Sequence, residues 1–185
     1  MSTEPTQEVL EALGRELGSA LLERGWRMAT AESCTGGWIA QAMTATAGSS
    51  DWFECGLVTY SNATKLSLLG VEAMTIERHG AVSVETVGQM AQGALRVGAV
   101  DVAVAVTGVA GPSGGSPDKP VGTVCFGFAV NGRATETERQ EFAGDRREVR
   151  ARTVVHALQR LLEMLAEDPG GNNLVSTEGV PERLL

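Results

Sequence analysis

The chain has 185 residues, 43% of them apolar, and a formal net charge of −8, which is enough material to bury the core of one domain. The acidic balance argues against a general nucleic-acid or anionic-membrane binder, because such proteins bind through basic surface. It leaves room for a small anionic substrate held by a few local arginines.

The opening MSTEPTQEVLEAL has no basic flank and no signal-like apolar run. Residues 5–24 follow as an amphipathic helix, with Leu10, Leu13, Leu17 and Leu21 at helical spacing and Gly25 ending it. WRMATAES is a short strand running into AESCTGG, GWIAQAMTATA is a helix stopped by GSSD, and ECGLVTY is a strand. NATKLSLLG is a short helix with Asn62 as candidate cap, and residues 84–98 form a helix capped by Ser83. Between them RHGAV is read as a turn.

DVAVAVTG, small and β-branched throughout, is expected to be a strand buried on both faces. The Gly/Pro-rich loop GVAGPSGGSPDKP follows, then the strand VGTVCFGFAV. Asn131-Gly132 signals a hairpin into a partner strand near 133–142. The last helix runs from near Asp145 to about Glu167 on an apolar face of Val154, Leu158, Leu161, Leu162 and Leu165; DPGG breaks it. The expected fold is a layered α/β/α domain around a mixed sheet containing one hairpin. Residues 1–167 form that domain and 168–185 a flexible tail. No apolar stretch approaches the ~20 residues of a membrane span. Cys34, Cys55 and Cys125 form neither a CxxC pair nor a metal spacing, so a reduced, cytoplasmic setting is expected.

AESCTGG lies where a strand hands over to a helix, the place where open α/β sheets gather ligands. A helix start offers free N–H groups and a positive dipole end, and Gly36 and Gly37 leave the backbone uncovered. Such a place suits a phosphate or an oxyanion; the plainer alternative is a Ser or Thr cap with incidental glycines. A serine nucleophile here needs a base. The two histidines, His79 in its turn and His156 on the last helix off the Val154/Leu158 face, are poorly placed. Lysine is the better candidate: there are only two, Lys65 and Lys119, against thirteen arginines, and one tyrosine, Tyr60. Lysine can lose its proton in a suitable site and arginine cannot. TYSNATK brings Tyr60 and Lys65 to the sheet edge expected for Ser33, and burial lowers a lysine pKa. A Ser/Lys pair is a known variant of triad logic. Taken singly, a strand aromatic and a solvated lysine are the default readings.

The TGVAGPSGGSPDKP loop lacks the GK[ST] ending of a Walker loop, but its N–H groups suit a phosphate or ribose. GDRREVRAR places Arg146, Arg147, Arg150 and Arg152 in the first turns of the last helix. The dipole disfavours cations there, so either an anionic partner or ion pairs with acids such as Glu148 is expected. Trp26, Trp38 and Trp52 are read as packing residues.

The texts AESCTGG, GLVTYSNATK, AVAVTGVAGPSGGSPDKPVGTV and FAGDRREVR, in this order from about residue 8 to 166, resemble the C-terminal domain of the competence/damage-inducible protein family, the nicotinamide-nucleotide amidohydrolases. Larger members carry an extra N-terminal domain, so this chain resembles the stand-alone form. The resemblance implies hydrolysis of the carboxamide of nicotinamide mononucleotide to nicotinic acid mononucleotide and ammonia, in pyridine nucleotide salvage, without metal or other cofactor. It places the nucleophile on Ser33, with Tyr60 and Lys65 as partners. Thr35, Gly36, Gly37, Thr107, Gly108, Ala110 and Gly111 would lie at the substrate, and Arg146 at its phosphate. The expected partners are that small-molecule substrate and further copies of the chain, with no nucleic acid and no membrane. Two alternatives stand beside it. One is a non-catalytic nucleotide-binding or interaction domain in a competence or DNA-damage pathway. The other is a Cys34 hydrolase, weakened because neighbouring side chains of an extended segment point opposite ways.

Overall fold

A computed structural model describes residues 5–167. The chain runs α1 (Gln7–Glu23), β1 (Met28–Glu32), α2 (Trp38–Thr44), a 3-10 turn (Ser49–Asp51), β2 (Phe53–Val58), α3 (Asn62–Leu69), α4 (Ala73–His79), α5 (Val84–Gly98), β3 (Val102–Gly108), β4 (Thr123–Val130), β5 (Glu136–Glu141) and α6 (Arg146–Glu167). The strands form one sheet in the order β2-β1-β3-β4-β5. β1 is parallel to β2 and β3, whereas β3–β4 and β4–β5 are antiparallel. The carboxyl ends of β1, β2 and β3 and the start of β4 therefore meet at one sheet edge.

Alternation along β3 and β4 splits the core in two. Val102, Val104, Val106, Val124, Phe126 and Phe128 pack with Leu10, Leu17 and Leu21 of α1, Ile39 and Met43 of α2, and Val154, Leu158 and Leu161 of α6. On the other face Ala29, Ala103, Ala105 and Ala129 meet Leu69 of α3 and Met90, Ala91 and Ala94 of α5. This is the layered α/β/α arrangement the sequence predicts, with β3 and β4 covered on both faces. Small residues let the layers close. A Cβ on Gly14 would overlap the Ala42 carbonyl, and one on Gly93 the Leu69 carbonyl. Among the described residues no helix is long and apolar enough to cross a membrane.

The local expectations differ from the structure at four places. His79 ends a helix, α4, rather than sitting in a turn, and Gly80 caps it at φ 82°. α4 has no fully buried residue, so its apolar signal is faint. The cap of α3 is Ser61, not Asn62: its hydroxyl accepts from Thr64 N at 3.2 Å. The hairpin partner begins at Glu136, because residues 131–135 form a longer turn than Asn131-Gly132 alone implies. β2 stops at Val58, leaving Thr59 and Tyr60 to carry the chain off the sheet. The tail expected over 168–185 lies outside the described residues.

Candidate active site

Ser33 is the first residue past β1, and its N–H still donates to Val106 O of β3 at 3.1 Å. The chain then turns sharply, with Gly36 N donating to Ser33 O at 3.1 Å and Gly36 and Gly37 at φ 64° and 95°. Those left-handed angles are why two glycines stand here. The turn throws consecutive side chains to opposite sides. Ser33 faces α3, whereas Cys34 enters the core on the α1/α6 side with 6% exposure.

Ser33 meets Lys65 of α3. Lys65 is 1% exposed, and its Nζ donates to Thr59 O at 2.8 Å and to Ser33 Oγ at 3.2 Å. Thr59 is itself fixed, its N–H donating to Glu32 O at 2.8 Å. Burial holds the Lys65 pKa below the usual lysine range, only partly opposed by the neighbouring Cys34. With two neutral acceptors and no carboxylate bonded to it, this lysine is poised to become a neutral amine that accepts the serine proton.

Glu32 has no role in the sequence reading beyond its place in AESCTGG, yet it organises the turn. It is fully buried, and its carboxylate accepts from Gly37 N at 3.0 Å, Ile39 N at 3.1 Å and Ala40 N at 2.8 Å, with Thr30 Oγ1 at 3.3 Å. Three of the donors at the start of α2, those of Gly37, Ile39 and Ala40, are thus taken by the protein's own carboxylate and are not open to a ligand, contrary to the simplest expectation for AESCTGG. Other donors lie one step earlier: among the described residues the N–H groups of Cys34 and Thr35 bond to no backbone carbonyl, and both face the Cys34 thiol. The residue after a nucleophile is a usual source of an oxyanion donor.

Four further positions complete the picture. Thr35 is fully buried, its hydroxyl without a partner among the described residues, and its carbonyl accepts from Arg150 Nη2 at 2.6 Å. Arg150 also lies over the Trp38 ring, 5.3 Å from its centroid. Arg146 donates to Gly111 O at 2.9 Å and to the Tyr60 hydroxyl at 3.0 Å. Tyr60 is 61% exposed and bonds to neither Ser33 nor Lys65. Its hydroxyl stands on the α6 side of the site, where a proton relay to Lys65 has no direct contact to use. Thr107 turns its hydroxyl to Ala81 O at 2.9 Å on the α5 side.

Arg146 and Arg150 also wall a cavity of about 630 Å³, lined by Ala110, Pro112, Val121, Gly144, Asp145 and Arg147 as well. That volume suits a mononucleotide-sized ligand. Ser33 is not part of its lining, but Arg150 holds the turn after Ser33 and Arg146 holds Tyr60. Asp145 and Glu148 keep the start of α6 satisfied without the arginines. Asp145 Oδ1 accepts from the N–H groups of Arg147 and Glu148 at 2.8 and 2.9 Å, and Glu148 Oε2 accepts from Asp145 N at 2.7 Å. Glu148 thus closes a capping box with Asp145 at the start of α6. A smaller cavity of about 280 Å³, beside Trp26, Val102 and Leu161, lies at the far end of β3 from Ser33.

The histidines stay outside. His79 pairs with Glu85 at 3.3 Å, and His156 pairs with Glu138 of β5 beside Phe126. Burial pushes the Cys34 thiol up to about 12, so it holds its proton at neutral pH and is a poor nucleophile. Cys34→Ala is accordingly expected to keep activity within about tenfold of the parent, the small loss coming from packing. A steady-state assay checks this, and loss of turnover on Cys34→Ala alone would hand the nucleophile's role to the thiol.

The sequence model of the CinA C-terminal domain matches residues 10–165. The chain is 52% identical over 157 residues to a nicotinamide-nucleotide amidohydrolase PncC of Enterobacter agglomerans, covering 85% of this chain and 96% of that protein. It is 48% identical over 163 residues to the protein of the same name from Escherichia coli K12, covering 88% and 99%. The crystal structure of the competence damage-inducible protein A from Klebsiella pneumoniae superposes with a TM-score of 0.82 at 44% identity, over 85% of this chain and 97% of that one.

Proposed function

The chain belongs to the CinA C-terminal domain family, and from that premise we propose that it hydrolyses the carboxamide of nicotinamide mononucleotide to nicotinic acid mononucleotide and ammonia. The observation that carries the reading is the 3.2 Å contact between Ser33 Oγ and the fully buried Lys65 Nζ. Relatives matching nearly end to end bear the name of this activity.

Neutral Lys65 takes the Ser33 proton as Oγ attacks the amide carbon. The N–H groups of Cys34 and Thr35 receive the charge that develops on the carbonyl oxygen. Lys65, now an ammonium, returns the proton to the departing nitrogen, and ammonia leaves. A water deprotonated by Lys65 then attacks the acyl-serine, Lys65 returns that proton to Ser33 Oγ as the ester bond breaks, and the carboxylate is released. One group serves as base and then acid in each half of the reaction, without a metal or other cofactor.

The arginine-walled cavity takes the phosphate, with Arg146 and Arg150 as its cations and Gly36, Gly108, Ala110 and Gly111 leaving room for the nucleotide. Tyr60, held by Arg146, stands where the two halves of the site join. The reading treats residues 1–167 as one domain. It places the enzyme in the cytoplasm, in keeping with three free thiols, working as a homo-oligomer on a soluble nucleotide and not on nucleic acid.

Ammonia release from nicotinamide mononucleotide is the direct test: turnover supports the reading, and binding without turnover overturns it. Within that assay Arg146→Ala is expected to raise KM about 10–100-fold with a smaller change in kcat, the signature of lost ground-state binding to a charged group. A fall in kcat at constant KM would move Arg146 from phosphate binding to the positioning of Tyr60.

A further inference from the structure

Lys119 is the second of only two lysines, and nothing in the proposed reaction uses it. It sits on the loop between β3 and β4, on the α5 side of the sheet, away from the arginine-walled cavity. There it lines a separate cavity of about 350 Å³ between the end of α4, the start of α5, the first residues of β4 and the middle of β5.

Arg78 of α4 and Arg139 of β5 converge on the same space. The sheet register explains the third: Arg139 lies opposite Cys125, on the face that α5 covers. Both Lys119 and Arg139 bear on the Cys125 thiol and oppose the upward push of burial on its pKa. Glu85 is the one carboxylate in the lining, and it is paired with His79 at 3.3 Å. Glu141, opposite Thr123, takes one edge of Arg139 at 2.8 Å.

Donors remain. Among the described residues Lys119 Nζ donates to His79 O at 2.7 Å, and an ammonium has three N–H bonds. Arg139 uses Nη2, to Asp118 O at 2.7 Å and to Glu141, and leaves its Nη1 edge unbonded. Arg78 is exposed and has no side-chain partner among the described residues. Thr123, fully buried and part of the lining, has a hydroxyl without a hydrogen-bond partner among the described residues. That hydroxyl adds a polar group to the inner wall of a cavity rimmed by cations. Three cations with spare donors in a chain of net charge −8, beside an unsatisfied hydroxyl, match the needs of a tetrahedral oxyanion.

We propose that this cavity is a second anion site, binding the phosphate group of a small molecule between Lys119, Arg78 and Arg139 with Thr123 as the inner donor. It is distinct from the cavity walled by Arg146 and Arg150 and does not depend on the amidohydrolase reading. The β3–β4 loop walls both, presenting Ala110, Pro112 and Val121 to one and Lys119 to the other.

Isothermal titration of the full chain with inorganic phosphate, and separately with ribose 5-phosphate, tests this. The expected result is binding that persists in Arg146→Ala and weakens at least about tenfold, the worth of one charge-assisted hydrogen bond, in Lys119→Met and in Arg78→Ala. Lys119→Met also loses the brace to His79 O and can disturb the loop. Arg78→Ala breaks no side-chain hydrogen bond among the described residues and keeps the test decisive. Tighter binding of ribose 5-phosphate identifies a sugar phosphate as the ligand class, and equal binding identifies phosphate itself; both support the site. Binding that vanishes in Arg146→Ala, or that ignores both Lys119→Met and Arg78→Ala, overturns it.

Discussion

Ser33→Ala is expected to abolish ammonia release, with kcat/KM down by roughly 10⁴-fold or more, since removing a nucleophile leaves only oxyanion stabilisation and binding. Lys65→Met should cost about 10²–10⁴-fold, the usual worth of a general base. The double variant should be little worse than Ser33→Ala, because the two groups act as a unit. The pH profile gives the sign. Lys65 works only when neutral, so kcat/KM rises with pH, and burial sets the midpoint of that limb below the usual lysine range. A limb centred at an ordinary lysine value, or one that survives in Lys65→Met, would assign the base elsewhere. Stability separates the catalytic role from a structural one. Burying an ammonium is costly, so Lys65→Met should melt no lower than the parent even as activity collapses.

Glu32→Ala is the second large effect and runs the other way, damaging both fold and turnover. The substitution removes the shared acceptor of the N–H groups of Gly37, Ile39 and Ala40 in the protein interior. The expected loss is about 3–5 kcal/mol, a large part of the ~5–15 kcal/mol a domain holds. At ~2–4 °C per kcal/mol for a chain of this size, the melting temperature should fall by roughly 10 °C. Activity measured well below the variant's own transition should still be down about a hundredfold, because the turn that aims Ser33 has lost its anchor and ångström-scale misplacement costs that much. Glu32→Gln keeps one acceptor oxygen but sets an amide NH₂ against backbone donors, so it should fall between. A Glu32→Ala protein that melts within a degree of the parent would show that α2 is held by its packing alone.

The layers were legible because their signals are periodic. Leu10, Leu17 and Leu21 recur at helical spacing and are all buried against the sheet. DVAVAVTG has no polar alternation and becomes a strand covered on both faces. Ser83 caps α5 as expected, its hydroxyl accepting from Thr86 N at 3.1 Å. α4 was missed because it rests on capping and partial burial, not on an apolar stripe. At the site, the scarcity of lysine and tyrosine marks Lys65 and Tyr60. Only Lys65 touches Ser33; the Tyr60 hydroxyl is bound to Arg146, a partner 86 positions away that local sequence could not supply. Glu32 was invisible for a related reason. A carboxylate before a helix start looks like any polar residue until α2 folds back and delivers three N–H groups to it. The contact of Arg150 with Thr35 O spans 115 positions and belongs to the same class of fact, a consequence of packing two layers against one sheet.

The β3–β4 connection links antiparallel neighbours and is tied off at its base. Val109 N donates to Thr123 O and Gly122 N to Val109 O, each at 2.8 Å. Everything between those ties can therefore change in length without shifting the register of either strand. Closure entropy is forgiving too, at about 0.6 kcal/mol for each doubling of a flexible loop. Insertions and deletions here would reshape the ligand's surroundings while leaving Ser33, Lys65 and Glu32 on their fixed supports. The architecture thus separates the part that performs the reaction from a part that selection can re-cut for a different nucleotide.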